Sequence, residues 1–183
     1  MQPIEKLKYL AESVGLIDSD IANYVIKNIN FKVWTAATSP NTHHYGTGGL
    51  IQHTLEVVEL CLKNNQYFLE LGKEVNAQKL FLAALYHDIG KIYDYEIVNR
   101  AEDIWQATRH KHLIHHISRS ALIWNDQKLI HNYPDSQDEI LHAILAHHGQ
   151  KAWGSPVEPQ TRMAWILHLS DSMSARVDDC VKR

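Results

Sequence analysis

The sequence lacks the features of several common protein classes. No apolar stretch approaches the roughly 20 residues that span a bilayer, and the residues after Met1 lack the basic start and apolar run of a secretion signal. The two cysteines, Cys61 and Cys180, lie far apart without metal-type spacing, so each is interpreted as an ordinary thiol. We therefore expect a soluble cytoplasmic protein with no membrane partner.

The charge balance excludes another class. A formal net charge of −3 gives the chain no general attraction for a polyanion. Stable binding to duplex nucleic acid is therefore not expected, and any phosphate would have to be held by local lysine, arginine or metal charge. The sequence also has neither a Walker-type phosphate loop nor a Rossmann glycine fingerprint, so nucleotide binding by those routes is unsupported.

Apolar residues recur at three- and four-residue spacing, which predicts an all-α bundle of about eight helices. The predicted helices are Ile4–Val14, Asp20–Ile29, Phe31–Ala37, Leu50–Asn64, Ala77–Ile89, Leu113–Ile130, Asp138–His147 and Arg162–Asp179. Ala77–Ile89 is apolar nearly all round and is therefore the predicted central helix. Only Tyr93–Val98 alternates like a strand. No linker divides the 183 residues, and we predict N-terminal helices over 1–35 packing on a domain over 36–183.

Thirteen histidines are present, and most of them lie beside or inside apolar helical runs. Imidazole and carboxylate groups offer lone pairs to metals at neutral pH. His53 falls on the core-facing stripe of its helix, and Asp171 continues an apolar stripe at four-residue steps. A carboxylate buried in this way needs a cation.

The doublet His87-Asp88 ends the predicted central helix, and Gly90 is predicted to terminate that helix in a left-handed conformation. The imidazole of such a doublet can bind one ion, while the two carboxylate oxygens allow the aspartate to bridge to a second ion. The doublet therefore suggests a site for two metal ions.

Helical phase selects among the remaining histidines. His116 shares a face with Leu113, Ser120 and Ile123 and is predicted to face the core, whereas His115 is predicted to lie at a rim. His110 and His112 precede the regular part of that helix and are poor ligand candidates.

His147 and His148 both extend an apolar face, so either could bind metal. A lone inward histidine is more often a hydrogen-bonded core residue, which remains the interpretation of His131, His142 and His168. His168 nevertheless lies three residues before Asp171 and is the most plausible omission from the ligand set.

Several further residues are candidates for substrate binding. Lys91 could reach a phosphate oxygen or act as a helix-terminal cation, and His44 could contact phosphate, protonate a leaving oxygen or hydrogen bond within its loop. Arg119 could bind phosphate at the rim, although a surface ion pair with an acid such as Asp126 is the stronger alternative. Trp153 could stack on a base or act as a packing lid.

The ordered pattern of His53, His87-Asp88 and Asp171 resembles the HD-domain superfamily of metal-dependent phosphohydrolases. Its most specific segments are 48–54 and 86–91, and the resemblance covers roughly residues 36–179. His147-His148-Gly149 and its surroundings are similar to the HD module of YhaM-type 3′–5′ exoribonucleases. Those enzymes carry an OB-type nucleic-acid-binding domain where this sequence has helices, so processive RNA degradation is not expected.

The resemblance implies an all-helical HD fold with two divalent metal ions, drawn from Mn, Fe, Zn, Mg and Ni. The first ion would be held by His53, His87, Asp88 and Asp171, and the second by Asp88, His116 and His147 with His148 nearby. Asp88 and Lys91 are the predicted catalytic residues.

The expected substrate is a nucleotide or a short single-stranded nucleic acid, cleaved at a phosphate ester by a metal-activated water. A homo-oligomer is compatible with the amphipathic N-terminal helices. Two alternatives remain open at this point, a di-iron oxygenase of HD type and a non-catalytic nucleotide sensor.

Overall fold

The structure, a computed structural model, describes residues 1–135 and 137–181, with side chains as far as residue 177. Its helices are α1 (Pro3–Ser13), α2 (Asp20–Ile26), α3 (Ile29–Val33), α4 (Gly49–Glu70), α5 (Ala77–Tyr86), α6 (Lys91–Asp94), α7 (Arg109–Leu113), α8 (His116–Ile130), α9 (Glu139–Ala146) and α10 (Arg162–Val181). The all-α class is therefore confirmed. Within the described ranges no helix is long and apolar enough to cross a membrane.

Helix α5 lies at the centre of the bundle, as its sequence predicts. Every side chain from Leu80 to Tyr86 is fully buried, because α4, α8, α9 and α10 all pack around this helix. A helix that is apolar on all sides is stable in water only when its neighbours cover it. Helix α4 contributes the free thiol of Cys61 to the same core, whereas the side chain of Cys180 lies outside the described residues.

The two N-terminal helices cover one side of this core. Helix α1 packs on α4 through Leu7 and Ala11, and α2 packs on α5, where the Tyr86 hydroxyl donates a hydrogen bond to the Ile21 carbonyl at 2.6 Å. Ser19 caps α2 with its side-chain oxygen. The division of the chain between residues 35 and 36 stays a prediction.

The predicted left-handed end of the central helix at Gly90 is wrong. Gly90 has φ −62°, a right-handed value, and α5 ends earlier, at Tyr86. The glycine is needed for close packing instead, since a Cβ there would collide with the His116 carbonyl and lie 2.9 Å from the Ser120 nitrogen. The turn between α5 and α6 therefore rests directly on the first turn of α8.

The helix predicted over Leu113–Ile130 is interrupted. Leu113 ends α7 and is 64% exposed, His115 takes φ 68°, and α8 begins at His116. The backbone N–H of His116 donates to the Asp94 carboxylate at 3.0 Å. That acceptor comes from another helix, so local spacing did not reveal the break.

The chain also forms a β-hairpin that the sequence only half indicated. Strand β1 (Tyr95–Asn99), which overlaps the predicted Tyr93–Val98 fragment, pairs antiparallel with β2 (Ile104–Ala107). The second strand has four residues, too few for alternation to identify it. The hairpin helps to hold the loop before α4, because Asp103 accepts hydrogen bonds from the backbone and side chain of Thr47.

Candidate metal centre

Four of the predicted ligands form a compact first cluster. The Nε2 atom of His53 lies 3.3 Å from Nε2 of His87, 3.1 Å from Oδ1 of Asp171 and 3.3 Å from Oδ2 of Asp88. His87 Nε2 lies 3.5 Å from the same Asp88 oxygen and 3.8 Å from Asp171. Ligands about 2.1 Å from one ion lie about 3.0–3.4 Å apart in tetrahedral or octahedral geometry. The first cluster therefore has the dimensions of a metal site.

A second cluster uses the other oxygen of Asp88. Asp88 Oδ1 lies 3.3 Å from Nε2 of His116 and 3.6 Å from Nε2 of His147. Ligand atoms of His116, His147 and His148 all lie within 4.8 Å of one another. The two oxygens of Asp88 thus face different clusters, which is the arrangement of a bridging carboxylate.

The predicted ligands reach this centre from five segments of the chain. His53 projects from the first turns of α4, the His87-Asp88 doublet follows α5, and His116 begins α8. His147 and His148 follow α9, and Asp171 lies on α10, where Met163 and Leu167 of its stripe are buried as predicted. The structure brings together all seven predicted ligands, and both His147 and His148 belong to the second cluster.

Hydrogen bonds fix three of the imidazoles in the tautomer that a metal needs. The Nδ1 atoms of His87, His147 and His148 each lie 2.7–2.8 Å from a backbone carbonyl. A carbonyl can only accept, so Nδ1 carries the proton and, in the neutral ring, Nε2 presents its lone pair. All three lone pairs therefore point away from the backbone and toward the clusters.

The other two imidazoles are held by side chains. His53 Nδ1 lies 3.1 Å from Ser174 Oγ, and Ser174 in turn donates to Glu56 at 2.8 Å, so its oxygen accepts from the imidazole. His116 Nδ1 donates to Asp94 Oδ2 at 3.0 Å. These rings too present Nε2 to the centre, and their partners are the outer groups that orient metal ligands in proteins.

The buried atoms at the centre fit divalent cations. Asp88 Oδ1 and the Nε2 atoms of His116 and His147 are buried without a hydrogen-bond partner among the described residues. Each buried polar atom left unpaired costs about 1–3 kcal/mol, and here three such atoms converge. Imidazole nitrogen and carboxylate oxygen are donors that suit divalent cations, and a cation bound among them would satisfy these atoms.

Burial keeps most of the histidines in their neutral, metal-binding form. It lowers the pKa of His87 and of His148 to about 4 and that of His116 to about 3, well below the ordinary value of 6.5. The cause is desolvation, which disfavours the charged ring. At neutral pH these rings therefore offer lone pairs rather than protons.

His53 differs because two carboxylates surround it. Burial acts to lower its pKa, but hydrogen bonds to Asp171 and Asp88 raise it to about 8. Burial likewise acts to raise the pKa of both carboxyls, yet His53 holds the pKa of Asp171, and Lys91 holds that of Asp88, far below the usual range. At neutral pH the first cluster therefore holds two carboxylate anions, which are balanced by the protonated ring of His53 and by the Lys91 ammonium.

Lys91 lies beside the centre rather than at the end of the central helix. It begins α6, is buried, and its Nζ lies 2.6 Å from Oδ2 of Asp88. Burial acts to lower the pKa of Lys91, but the Asp88 carboxylate raises it, so the side chain is a cation. Its ammonium pairs with a predicted metal ligand rather than with the carboxyl end of the central helix α5, which ends at Tyr86.

A cleft of about 300 Å³ opens onto the centre and contains both Lys91 and Asp171 in its lining. Trp153, which is 50% exposed, and His148 form another part of the wall. Arg176, which the sequence reasoning missed, lies at the same cleft on an exposed part of α10. Ser172, next to Asp171 on the same helix, also lines the cleft. Arg176 lies one helical turn beyond Ser172, so helical phase could have indicated it. The cleft gives a substrate access to the centre.

The two remaining substrate candidates are already engaged. His44 Nε2 lies 3.0 Å from Glu56 Oε2, with its ring 5.1 Å from the ring of His53. Arg119 donates from Nε to His110 at 3.1 Å and lies over the Tyr93 ring at 4.9 Å. Arg119 therefore gains no support as a phosphate contact, and its partners in the described part of the chain differ from the predicted Asp126.

His168 lies outside both clusters. Its Nδ1 atom donates to the His147 carbonyl at 2.8 Å, so it supports the segment that carries two of the predicted ligands. Sequence reasoning missed the outer carboxylates Glu56 and Asp94. Glu56 follows His53 by three residues on one helix, a spacing that could have revealed it. Asp94 gave no such signal, because the β-hairpin and α7 separate it from His116 in the sequence.

A larger cavity of about 650 Å³ lies on another face of α10, between Phe68, Trp165 and Leu169. Its lining contains no histidine or carboxylate among the described residues. The smaller cleft is therefore the one that matters for chemistry at the His/Asp clusters.

Known proteins resemble this chain over most of its length. A 3′–5′ exoribonuclease YhaM of Geobacillus sp. (strain WCH70) is 27% identical over 161 residues, which cover 86% of this chain and 47% of the relative. The dihydroneopterin 2′,3′-cyclic phosphate phosphodiesterase of Methanocaldococcus jannaschii is 29% identical over 170 residues, covering 92% of this chain and 59% of that protein. The 3′–5′ exoribonuclease YhaM of Bacillus subtilis is 25% identical over 161 residues, which cover 86% of this chain and 48% of that protein.

The chain thus spans about half the length of the curated relatives it matches. No solved structure matches it. The model of the HD domain family matches residues 50–176, a segment that begins before His53 and ends after Asp171. All seven clustered side chains fall within that segment, and the chain belongs to the HD-domain family.

Proposed function

We propose that this protein is a divalent-metal-dependent phosphohydrolase that cleaves a phosphate ester of a nucleotide or of the end of a short single strand. The observation that carries the proposal is the pair of clusters that share Asp88 through its two oxygens. The relatives are named as an exoribonuclease and as a cyclic phosphate phosphodiesterase, and both names describe attack on phosphodiesters.

The side chains divide between two proposed metal sites. The first site would use His53, His87, Asp88 and Asp171, and the second Asp88, His116, His147 and His148. Two divalent ions bound there would neutralise phosphate charge and activate a water. Mn, Fe, Zn, Mg and Ni remain candidates, since donor type alone does not select among them.

Cations of the chain itself supply further phosphate contacts. Lys91 lines the cleft beside Asp171, so its ammonium can donate to a non-bridging phosphate oxygen. Arg176 lies at the exposed side of the cleft, and none of the described carboxylates pairs with it. Its guanidinium lies where it can bind a second phosphate group of a substrate.

Trp153 and His44 complete the proposed roles. Half of the Trp153 side chain is exposed at the cleft, where its face can stack on a base without selecting a sequence. His44 is held by Glu56 near the ring of His53, and its neighbour His43 lines the cleft. His44 is not among the described residues that line the cleft, so its role at the phosphate or the leaving oxygen stays a prediction.

The size of the cleft favours one nucleotide unit as the substrate. Small-molecule sites occupy about 300–1,000 Å³, and this cleft has about 300 Å³. It therefore suits a free nucleotide, a cyclic phosphate or a single terminal residue of a strand better than a long bound segment. Oligomeric state and compartment stay predictions.

The test is hydrolysis by the purified protein with Mn²⁺ of nucleotides, cyclic nucleotides, cyclic dinucleotides and short single-stranded RNA and DNA. We expect cleavage of at least one class and its loss in Asp88→Ala, while Asp126→Ala on the exposed face of α8 keeps full activity. Silence across the whole panel with metal bound would contradict the proposal. Bound iron with visible absorbance would then favour the di-iron oxygenase, and nucleotide binding without turnover would favour the sensor.

A further inference from the structure

We propose that Glu56 and Asp94 are positioning residues, each of which orients the histidine of one metal site and ties an outer histidine to it. The inference rests on the proposed metal centre. It assigns a separate carboxylate to each site, with Glu56 acting on His53 and Asp94 on His116.

Glu56 acts through a serine. Its Oε2 accepts from Ser174 Oγ at 2.8 Å and from His44 Nε2 at 3.0 Å, and Ser174 in turn accepts from His53 Nδ1 at 3.1 Å. The other oxygen accepts from Gln52 at 2.9 Å. Burial acts to raise the pKa of Glu56, but these hydrogen bonds, above all that from His44, lower it to about 2. The acceptor at the end of the chain is therefore a full anion.

Asp94 acts directly. Its Oδ2 accepts from both the backbone N–H and Nδ1 of His116, each at 3.0 Å, and its Oδ1 accepts from His110 Nδ1 at 2.8 Å. His110 is held on its far side by Arg119. The carboxylate is fully buried, and it fixes both the ring of His116 and the start of α8.

The two arrangements are equivalent in design and separate in space. Each anion holds a ligand ring in the Nδ1–H tautomer, which makes Nε2 more basic toward a cation. Each also binds a histidine from outside the clusters, His44 from the loop before α4 and His110 from α7. Glu56 lies on α4 and Asp94 on α6, and their hydrogen-bond partners do not overlap. Loss of one carboxylate is therefore expected to weaken one site and spare the other.

Co²⁺ provides the probe, because its binding can be followed by calorimetry and by visible absorption of the bound ion. Co²⁺ should bind in two steps, one for each site. His53→Ala identifies the binding step of the first site, and His116→Ala identifies that of the second. We expect Glu56→Ala to weaken the His53 step about 10- to 100-fold, and Asp94→Asn to weaken the His116 step by a similar factor. The absorption of the affected site should change as its ligand ring loses its fixed orientation.

Three further variants separate positioning from general damage. Ser174→Ala cuts the link between Glu56 and His53 and should reproduce the effect of Glu56→Ala on the same step. Glu59→Gln removes a carboxylate of α4 that pairs with Lys6, and Asp135→Asn removes a buried carboxylate that pairs with Lys79. Both should leave the two Co²⁺ affinities as in the unaltered protein.

The outcomes distinguish this inference from the proposed function. If the unaltered protein takes up no Co²⁺, the proposed function fails and the inference with it. If the unaltered protein shows both steps and Glu56→Ala, Ser174→Ala and Asp94→Asn keep them, only the inference is overturned. A loss of both steps together, matched by Asp135→Asn, would also overturn it. Should Asp94→Asn not fold, Glu56→Ala and Ser174→Ala still decide the question.

Discussion

At the residue scale, Lys91 balances the charge of Asp88, and we predict that its replacement by methionine is partly rescued by metal. The ammonium and the carboxylate are both buried, at 2.6 Å. Removal of one partner of a buried pair costs about 3–5 kcal/mol, which corresponds to a fall of roughly 10 °C in Tm for a chain of this size. Thermal unfolding in EDTA should show this loss, and excess Mn²⁺ should reduce it by supplying positive charge to Asp88.

Lys79→Met is the matched control for that experiment. Lys79 pairs with the buried Asp135 at 3.5 Å and with Glu139 at 3.0 Å, far from the clusters. Its loss should lower Tm by the same amount in EDTA and in Mn²⁺. If Lys91→Met also lowers Tm by the same amount in EDTA and in Mn²⁺, a metal ion does not replace the lysine charge beside Asp88, and the prediction is wrong.

Trp153 provides a second prediction at this scale. Base stacking on an aromatic side chain contributes about 1–3 kcal/mol, so Trp153→Ala should raise KM for a nucleotide substrate roughly 5- to 150-fold, and more for purines than for pyrimidines. Trp165→Ala is the control, because Trp165 is equally exposed, at 50%, but lines the other cavity. Equal KM values for the two variants would make Trp153 a packing lid rather than a stacking surface.

The sequence indicated which side chains would converge better than it indicated which groups hold those side chains in place. His53 and Asp171 could be placed by helical phase, because each lies within one long regular helix. His116 was correctly predicted to be buried although the helix assumed for it is interrupted. Glu56 and Asp94 were missed, because their hydrogen bonds to the histidines depend on the tertiary fold. In the sequence alone, each looks like an ordinary surface carboxylate.

At the scale of elements, the contact between the α5–α6 turn and α8 sets the distance between the two clusters. The turn carries Asp88, and α8 begins with His116, whose carbonyl occupies the space beside Gly90. We predict that Gly90→Ala forces these elements apart. Overpacking of this kind costs about 1–3 kcal/mol, and Co²⁺ affinity of the second site should fall as well.

Gly72→Ala separates that effect from the general loss of a glycine. Gly72 has φ +63° after α4, and no atom lies within 4 Å of the position that a Cβ would take. Its substitution should reduce stability through backbone strain alone, without altering Co²⁺ binding. Chemical denaturation and calorimetry of both variants test this, and unchanged metal affinity in Gly90→Ala would contradict the prediction.

Elements with a long apolar period were predictable, and those defined by a distant partner were not. Helices α4, α5 and α10 follow from their repeating core residues, which alone demand burial. The break before α8 depends on a hydrogen bond from His116 to Asp94, 22 residues away. Strand β2 is short and gains its conformation by pairing with β1. Local spacing contains neither kind of information.

At the scale of the whole molecule, metal binding should be coupled to folding. The predicted ligands come from five segments, so an ion at the centre would link helices that otherwise pack mainly through the apolar core. An ion that binds only the folded chain stabilises it by RT ln(1 + [L]/Kd), about 2.7 kcal/mol at a hundredfold excess over Kd. Protons compete with a metal ion for the same ring nitrogens. The effect of protonation on the free energy of unfolding is therefore measured on the metal-free protein.

On the acid side, we predict that the metal-free protein loses stability as pH falls below about 6.5. Burial lowers the pKa of His87 and His148 to about 4 and of His116 to about 3 in the folded chain. Between these values and 6.5 the unfolded chain binds protons that the folded chain refuses, so acid favours unfolding. Each histidine contributes up to about 1.4 kcal/mol per pH unit in that window. Urea denaturation at pH 5 and 6.5 measures the slope, and equal stabilities would contradict it.

On the alkaline side, His53 has the opposite sign and metal should reverse it. Its folded pKa of about 8 exceeds the unfolded value because Asp171 and Asp88 hold its proton. That stabilisation is complete below pH 6.5 and disappears as pH rises through 8. Protons and metal compete for the same Nε2, so metal binds more tightly as that proton leaves. Between pH 6.5 and 8.5, stability should therefore fall in EDTA and rise with limiting Mn²⁺. If stability changes with pH in the same way in EDTA and in Mn²⁺, the proton of His53 and the metal ion do not compete for the same nitrogen.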